Sequence, residues 1–259
     1  MNILVLSDLH FHFWNNESAV AYYKKVIHDK ILNKEQYDCI VISGDIWEAT
    51  FVGKKHNPYK FLSDLFSVDC PIICCLGNHE FAYNSCTDVL NWFNSFTDRY
   101  NVHILDIENN FLFNNVNFVG NVFWYDNTLL NNPLGIPDKI SMNWLDSTIR
   151  YFTPSIWNNK CKQQILENLK LDSNITNILV THTVPHYKMN WFSIYEPNSL
   201  YNQYSGCKDF LKDVKNVSWS ICGHTHKHMS DTIYNINCIN VGNDYFNQYD
   251  DIKYYTIKF

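Results

Sequence analysis

The chain has 259 residues, 46% of them hydrophobic and 18% charged, which is enough apolar material for a full core and too little charge for a disordered protein. Its net charge of -6 argues against a protein whose main work is coating nucleic-acid phosphates, since that needs a basic surface. It leaves room for an enzyme that meets phosphate through bound cations, which would supply positive charge locally.

In chain order, "ILVLS" at 3–7 predicts a short strand ending at Asp8. Residues 18–32 predict a helix that places Val20, Tyr23, Ile27 and Ile31 on one face. A second buried strand, "DCIVIS", stops at Gly44-Asp45, and Pro58 then opens a helix carrying Phe61, Leu62, Leu65 and Phe66 inward. "PIICCL" predicts a third strand, and it runs into Gly77-Asn78-His79-Glu80. A further helix holds Val89, Leu90, Phe93 and Phe96, and "FLFNNVNFVG" reads as a hairpin turning at Asn114-Asn115. Residues 126–160 are irregular and rich in Trp, Tyr, Asn and Pro. A helix over 161–171 leads into the strand "NILVT", which ends at His182. A second irregular aromatic stretch, 186–207, precedes the strand "SWSIC", which ends at Gly223-His224. The last nine residues, "DIKYYTIKF", alternate as an edge or hairpin strand does.

Early strands alternate with helices, and later strands come in hairpins. That pattern predicts α/β layering with a mixed pair of sheets in one domain spanning 1–259. No run approaches the roughly 20 apolar residues of a membrane span. The N-terminus lacks the basic lead and small-residue cleavage site of a signal peptide. Most of the nine cysteines sit inside apolar runs and none form a CxxC pair, so the expected location is the reducing cytoplasm, away from membranes.

Five apolar strands therefore end in side chains that can bind a metal: Asp8 and His10, Asp45, Asn78 and His79, His182, and His224 and His226. One such ending is an ordinary turn. Five of them converge, because ligands of open α/β sheets gather outside the carboxyl ends of the strands. Asp8 and His10 share a face at period two, and so do His224 and His226. Carboxylate, imidazole and amide oxygen together suit borderline divalent ions with no thiolate required. Two carboxylates, one amide and four imidazoles exceed the about four ligands of one tetrahedral site and suit two ions sharing a carboxylate.

The ordered set D-x-H, G-D, G-N-H-[DE], H and G-H-x-H, running from Asp8 to His226, resembles the calcineurin-like metallophosphoesterases in both content and order. The resemblance implies a four-layer sandwich of two mixed β-sheets flanked by helices, with a dinuclear metal site at the strand ends. It implies one ion held by Asp8, His10, Asp45 and His226. The second would be held by Asp45, Asn78, His182 and His224, so that Asp45 bridges. The expected ions are two divalent metals, manganese first, with iron, zinc or nickel as alternatives. His79 would be the histidine outside the ligand set that contacts the phosphate or protonates the leaving group.

Such a site is expected to hydrolyse a phosphodiester or phosphomonoester of a small substrate, through in-line attack by a hydroxide held between two ions about 3.5–4 Å apart. The sequence looks like the prokaryotic-type, stand-alone branch of that family. The phosphoprotein phosphatase pattern G-D-x-x-D-R-G is replaced by Gly44-Asp45-Ile46-Trp47-Glu48-Ala49, so the arginine that would grip a substrate phosphate is absent. Glu48 is either the carboxylate that orients His79 or an ordinary solvated residue. His12, His186 and His228 are read as surface or supporting histidines. The aromatics of the irregular stretches, Trp124, Trp144, Trp157, Trp191, Tyr195, Tyr201 and Tyr204, are read as packing their loops. Two alternatives stand beside the phosphoesterase: a nuclease, for which nucleic acid would be the substrate, and a non-catalytic metal-binding interaction module. Intact ligands in all five endings disfavour the module, and the acidic net charge disfavours the nuclease.

Overall fold

The computed structural model describes residues 1–11, 21, 24–47, 57–96, 100–129, 144–243 and 252–259. Strands β1 (Asn2–Leu6), β2 (Cys39–Ser43), β3 (Ile72–Cys75) and β4 (Val102–Ile104) run parallel side by side. The final strand β11 (Tyr255–Lys258) pairs antiparallel with β1, giving the order β11-β1-β2-β3-β4. The second sheet is built from β5 (Asn110–Phe113), β6 (Val116–Asn121), β7 (Thr176–Thr181), β8 (Val217–Cys222), β9 (Met229–Ile233) and β10 (Ile236–Asn240). Its order is β5-β6-β7-β8-β10-β9, parallel from β6 through β10 and closed at each edge by an antiparallel hairpin arm.

The period-two rule divides the core. Ile3, Val5, Val41 and Ile73 of the first sheet meet Val116, Phe118, Ile178, Val180 and Ile221 of the second in one buried layer. The alternate residues Leu4, Leu6, Ile40, Ile42 and Cys74 face the other way, into the layer that also contains the helices. Parallel strands buried on both faces read as continuous apolar runs, which explains "ILVL" and "CIVI".

Helix α1 (Pro58–Phe66) starts where Asn57 accepts from the amides of Tyr59 and Lys60, and it buries Tyr59, Leu62, Leu65 and Phe66, with Phe61 partly covered. The short helix α2 (Asn78–Phe81) follows β3, and α3 (Cys86–Asn94) is capped by Ser85 and buries Val89 and Phe93. A single turn, α4 (Leu105–Glu108), leads from β4 towards β5, and α5 (Pro154–Asn168) covers β6. Two elements differ from the sequence reading. The helix expected at Cys161 begins at Pro154, because proline's fixed φ suits a first helical turn and its missing N–H costs nothing there. The helix expected over 18–32 is α-helical at its described residues 21 and 24–27 and differs only in ending as a π turn at His28–Leu32, with Ile27 and Ile31 buried; Val20 and Tyr23 lie outside the described residues.

The Asn114-Asn115 hairpin is present: both residues adopt left-handed backbone, at φ 49 and 61, as the two-residue turn requires. A second hairpin turns at Tyr234-Asn235 in the same way, and the sequence reading missed it. The first sheet's β1, β2 and β3 and the second sheet's β7 and β8 deliver their carboxyl ends to one rim of the sandwich. Among the described residues, no helix is long and apolar enough to cross a membrane.

Candidate metal centre

Every residue that the sequence reading placed in the ligand set arrives at that rim. Backbone hydrogen bonds stitch the loops together: Asp8 N to Gly44 O at 3.0 Å, His10 N to Asp45 O at 2.9 Å, and Gly223 N to His182 O at 3.0 Å. Asp8, His10, Asp45, His224 and His226 have left-handed backbone, with φ of 52, 41, 49, 68 and 52. For residues with a Cβ this costs on the order of 1–2 kcal/mol each, and such strain concentrates where a fold forces side chains into a site. Gly44 (φ +81) has no alternative, since a Cβ there would also strike the His182 ring, 2.5 Å from its Nδ1.

Two adjoining clusters result. In one, His182 Nε2 lies 3.0 Å from Asn78 Oδ1, 3.1 Å from His224 Nδ1 and 3.3 Å from Asp45 Oδ2. In the other, Asp8 Oδ1 lies 3.9 Å from His10 Nε2 and 3.7 Å from His226 Nε2, while Asp45 Oδ2 is 3.8 Å from His10 Nε2. Asp45 is common to both. Asp8, His10, Asp45 and His182 are at most 1% exposed in their side chains.

The imidazoles are aimed by backbone carbonyls. Ser43 O is 2.9 Å from His182 Nδ1, Tyr204 O is 2.9 Å from His224 Nε2, and Asn243 O accepts from His226 Nδ1. In each ring the other nitrogen points into the cluster, the arrangement by which metal-binding histidines are oriented. Donor atoms 3.0–3.3 Å apart match the spacing of atoms that share an ion at about 2.1 Å. The donor chemistry and spacing fit the two divalent ions that the motif implies.

The electrostatics ask for positive charge. Burial pushes the Asp8 carboxyl above its ordinary range, against the pull of His226 and His182. Burial works the same way on Asp45, but His182, His79 and His10 outweigh it and hold that carboxyl well below the usual range. His182 resists burial because Asp45 and Asp8 face it, and it rises to about 10. His224, buried beside that positive ring, falls to about 3. Two buried carboxylates facing these imidazoles thus favour positive charge at this rim.

His79 donates its backbone N–H to Asp45 Oδ1 at 3.0 Å, and its ring Nε2 lies 3.8 Å from Asp45 Oδ2. Its ring meets His10 edge-on at 4.6 Å, and its side chain is 13% exposed, more open than the neighbouring His10. Glu48 lies outside the described residues, as does His12.

Two carboxylates escaped the sequence reading. Glu80 accepts from Ile46 N and Trp47 N at 2.7 Å and from Gly77 N at 2.6 Å, clamping the loop that carries Asp45 to the loop that carries Asn78 and His79. Burial and then Asp45 raise its pKa to about 8. Its signal was available: a Glu three residues after a glycine that precedes a helix reaches back to that glycine's amide. Asp146, fully buried, accepts from Asn78 Nδ2 at 2.8 Å and from Trp144 Nε1 at 3.2 Å. It sits in the irregular 126–160 stretch, where no periodicity marked it.

A cavity of about 590 Å³ opens over the cluster. Asp45, Asn78, His79, His224 and His226 line its floor, and Tyr83, Trp144, Phe192 and Tyr201 form an aromatic wall, with Leu145 and Lys227 beside it. Trp144 and Tyr201 line the cavity in addition to packing their loops, Trp144 against the core and Tyr204, and Tyr201 against Phe192; Trp124 is fully buried. His186 and His228 do not line this cavity.

The chain belongs to the calcineurin-like phosphoesterase family, whose model matches residues 1–228. It is a hydrolase acting on phosphoric ester bonds, in a family that uses divalent metals. Its fold is similar to that of a phosphopantetheinyl hydrolase from Mycobacterium tuberculosis, at 16% identity and a TM-score of 0.68, over 99% of this chain and 95% of that one. It is also similar to the TT1561 protein of Thermus thermophilus, at 14% identity and a TM-score of 0.55, over 99% and 98% of the two chains. No curated protein sequence matches it significantly.

Proposed function

We propose that the chain, as a single domain over 1–259, is a dinuclear metal-dependent phosphoesterase of small substrates that works in the cytoplasm. The observation that carries the reading is three adjoining donor clusters, Asp8-His10-His226, His10-Asp45-His79 and Asp45-His182-His224, the last two sharing Asp45, at the floor of an aromatic-walled cavity. Asp8, His10, Asp45 and His226 would hold one ion, and Asp45, Asn78, His182 and His224 the other. Bound there, the ions, manganese first, supply positive charge to the phosphoryl oxygens and lower the pKa of water. Asp45, whose carboxylate faces both His10 and His182, would be the ligand common to both ions. His79, on the cavity side of Asp45, donates a proton or hydrogen bond to the leaving oxygen. Trp144, Leu145 and Tyr201 receive the organic part of the ester and exclude water from it.

All nine cysteines are free thiols, which supports the reducing compartment. Among the described residues, Lys227 is the one lysine or arginine lining the cavity, too sparse a positive surface for a nuclease groove. Paired assays with Mn²⁺ on bis-p-nitrophenyl phosphate and p-nitrophenyl phosphate test the reading and decide between diester and monoester. A phosphopantetheinyl ester follows as the first natural candidate, given the fold neighbour that hydrolyses one. Turnover of neither aryl ester by a protein loaded with two ions would favour the interaction-module alternative.

A further inference from the structure

We infer that Asp146 is a positioning residue that fixes which end of the Asn78 amide faces the metal centre and ties that amide to the aromatic wall of the cavity. The inference rests on the metal-centre reading above.

An amide is a riskier ligand than a carboxylate, because only one of its two ends can hold a cation. Rotating Asn78 by half a turn would present its NH₂ to the cluster. Asp146 decides the orientation. Its carboxylate accepts at both oxygens: Oδ1 takes Asn78 Nδ2 at 2.8 Å and Oδ2 takes the indole N–H of Trp144 at 3.2 Å. Trp144 can only donate, so one oxygen is committed and the other stays available to the amide NH₂. Asn78 Oδ1 is then left facing His182 Nε2 at 3.0 Å.

Asp146 can do this because its own backbone is anchored. It lies in the short 3₁₀ turn Leu145–Thr148, whose Thr148 hydroxyl accepts from Tyr83 N at 3.0 Å, while Arg150 N reaches Asn84 O at 2.8 Å. The network closes on itself. The Trp144 ring stacks on Tyr204 at 4.5 Å and 20°, and the Tyr204 carbonyl orients His224 from the other side. One chain of contacts thus runs from Asn78 through Asp146, Trp144 and Tyr204 to His224, joining two ligands of the same ion by way of the cavity wall.

Titration calorimetry of metal-stripped protein with Mn²⁺, with a thermal melt as the control for folding, tests the inference. In D146N the new amide satisfies Trp144 with its oxygen and turns NH₂ towards Asn78, so Asn78 flips and presents its own NH₂ to the ion. One of the two Mn²⁺ sites should weaken roughly 10–100-fold and the other hold. The swap variant N78D/D146N restores every partner. The amide now at position 146 accepts from Trp144 and donates to the carboxylate now at position 78, and the ligating oxygen returns at unchanged total charge. This variant should bind both ions within about threefold of wild type. D146N with both affinities unchanged, or a swap variant that binds no better than D146N, would overturn the positioning role, and the swap decides alone if D146N does not fold. A wild-type protein that takes up no Mn²⁺ overturns the metal-centre reading and this inference with it, a failure distinct from a two-ion wild type matched by D146N.

Discussion

Replacing Glu80 with Gln tests how the ligand loops are held. Glu80 is buried, and both of its oxygens accept backbone amides: Oε1 takes Ile46 N and Trp47 N, and Oε2 takes Gly77 N. Glutamine has the same shape with only one acceptor. Its oxygen can keep the Ile46 and Trp47 amides, and its NH₂ then faces the Gly77 N–H, donor against donor. A buried donor left unsatisfied costs about 1–3 kcal/mol. For a chain of this size each kcal/mol lowers Tm by about 2–4 °C, so about 2 kcal/mol corresponds to roughly 4–8 °C. Glu80→Ala strands all three amides and should cost more, about 3–9 kcal/mol. Differential scanning calorimetry of the three proteins under one metal condition at about pH 9, where the Glu80 carboxyl is ionised, measures both steps. An E80Q protein that melts within about 1 °C of wild type would show that the Gly77 amide finds another partner and that the Glu80 Oε2 contact does not hold its loop.

Gly44→Ala places a Cβ against the His182 ring at φ +81 and should cost roughly 2–5 kcal/mol, read from a chemical melt. His79→Ala should leave metal content intact and reduce kcat about 10²–10⁴-fold on esters with poor leaving groups; full activity on such an ester would refute its role. Asp126 sits 2.8 Å from Lys162, and although burial opposes it, that partner holds the Asp126 carboxyl below its ordinary range. A depressed carboxyl stabilises the fold above its unfolded pKa and loses that contribution as pH falls through the folded value. Lys162→Met should therefore cost about 0.5–1 kcal/mol at pH 7 and nothing once acid has protonated Asp126, as followed by urea melts across pH.

The strand cores and their polar endings were legible because both signals are local. An apolar run marks a parallel strand buried on both faces, and a glycine followed by Asp, Asn or His marks its functional end. Convergence of five such endings then follows from topology alone. What the sequence hid was non-local. Asp146 lies 68 positions from Asn78 and is joined to it only by tertiary packing. The aromatic wall draws Trp144 and Tyr201 from two irregular stretches whose composition is the same whether a ring packs inward or faces a cavity. The carbonyls that aim the imidazoles, on Ser43, Tyr204 and Asn243, carry no residue-type signature at all.

The central claim is a two-ion centre bridged by one carboxylate. Metal analysis by inductively coupled plasma mass spectrometry, on wild type and Asp45→Asn reconstituted with Mn²⁺ and desalted, tests it most directly. Two ions per chain in wild type and the loss of both in D45N is the predicted result. One ion or fewer in wild type, or two ions retained by D45N, would contradict it.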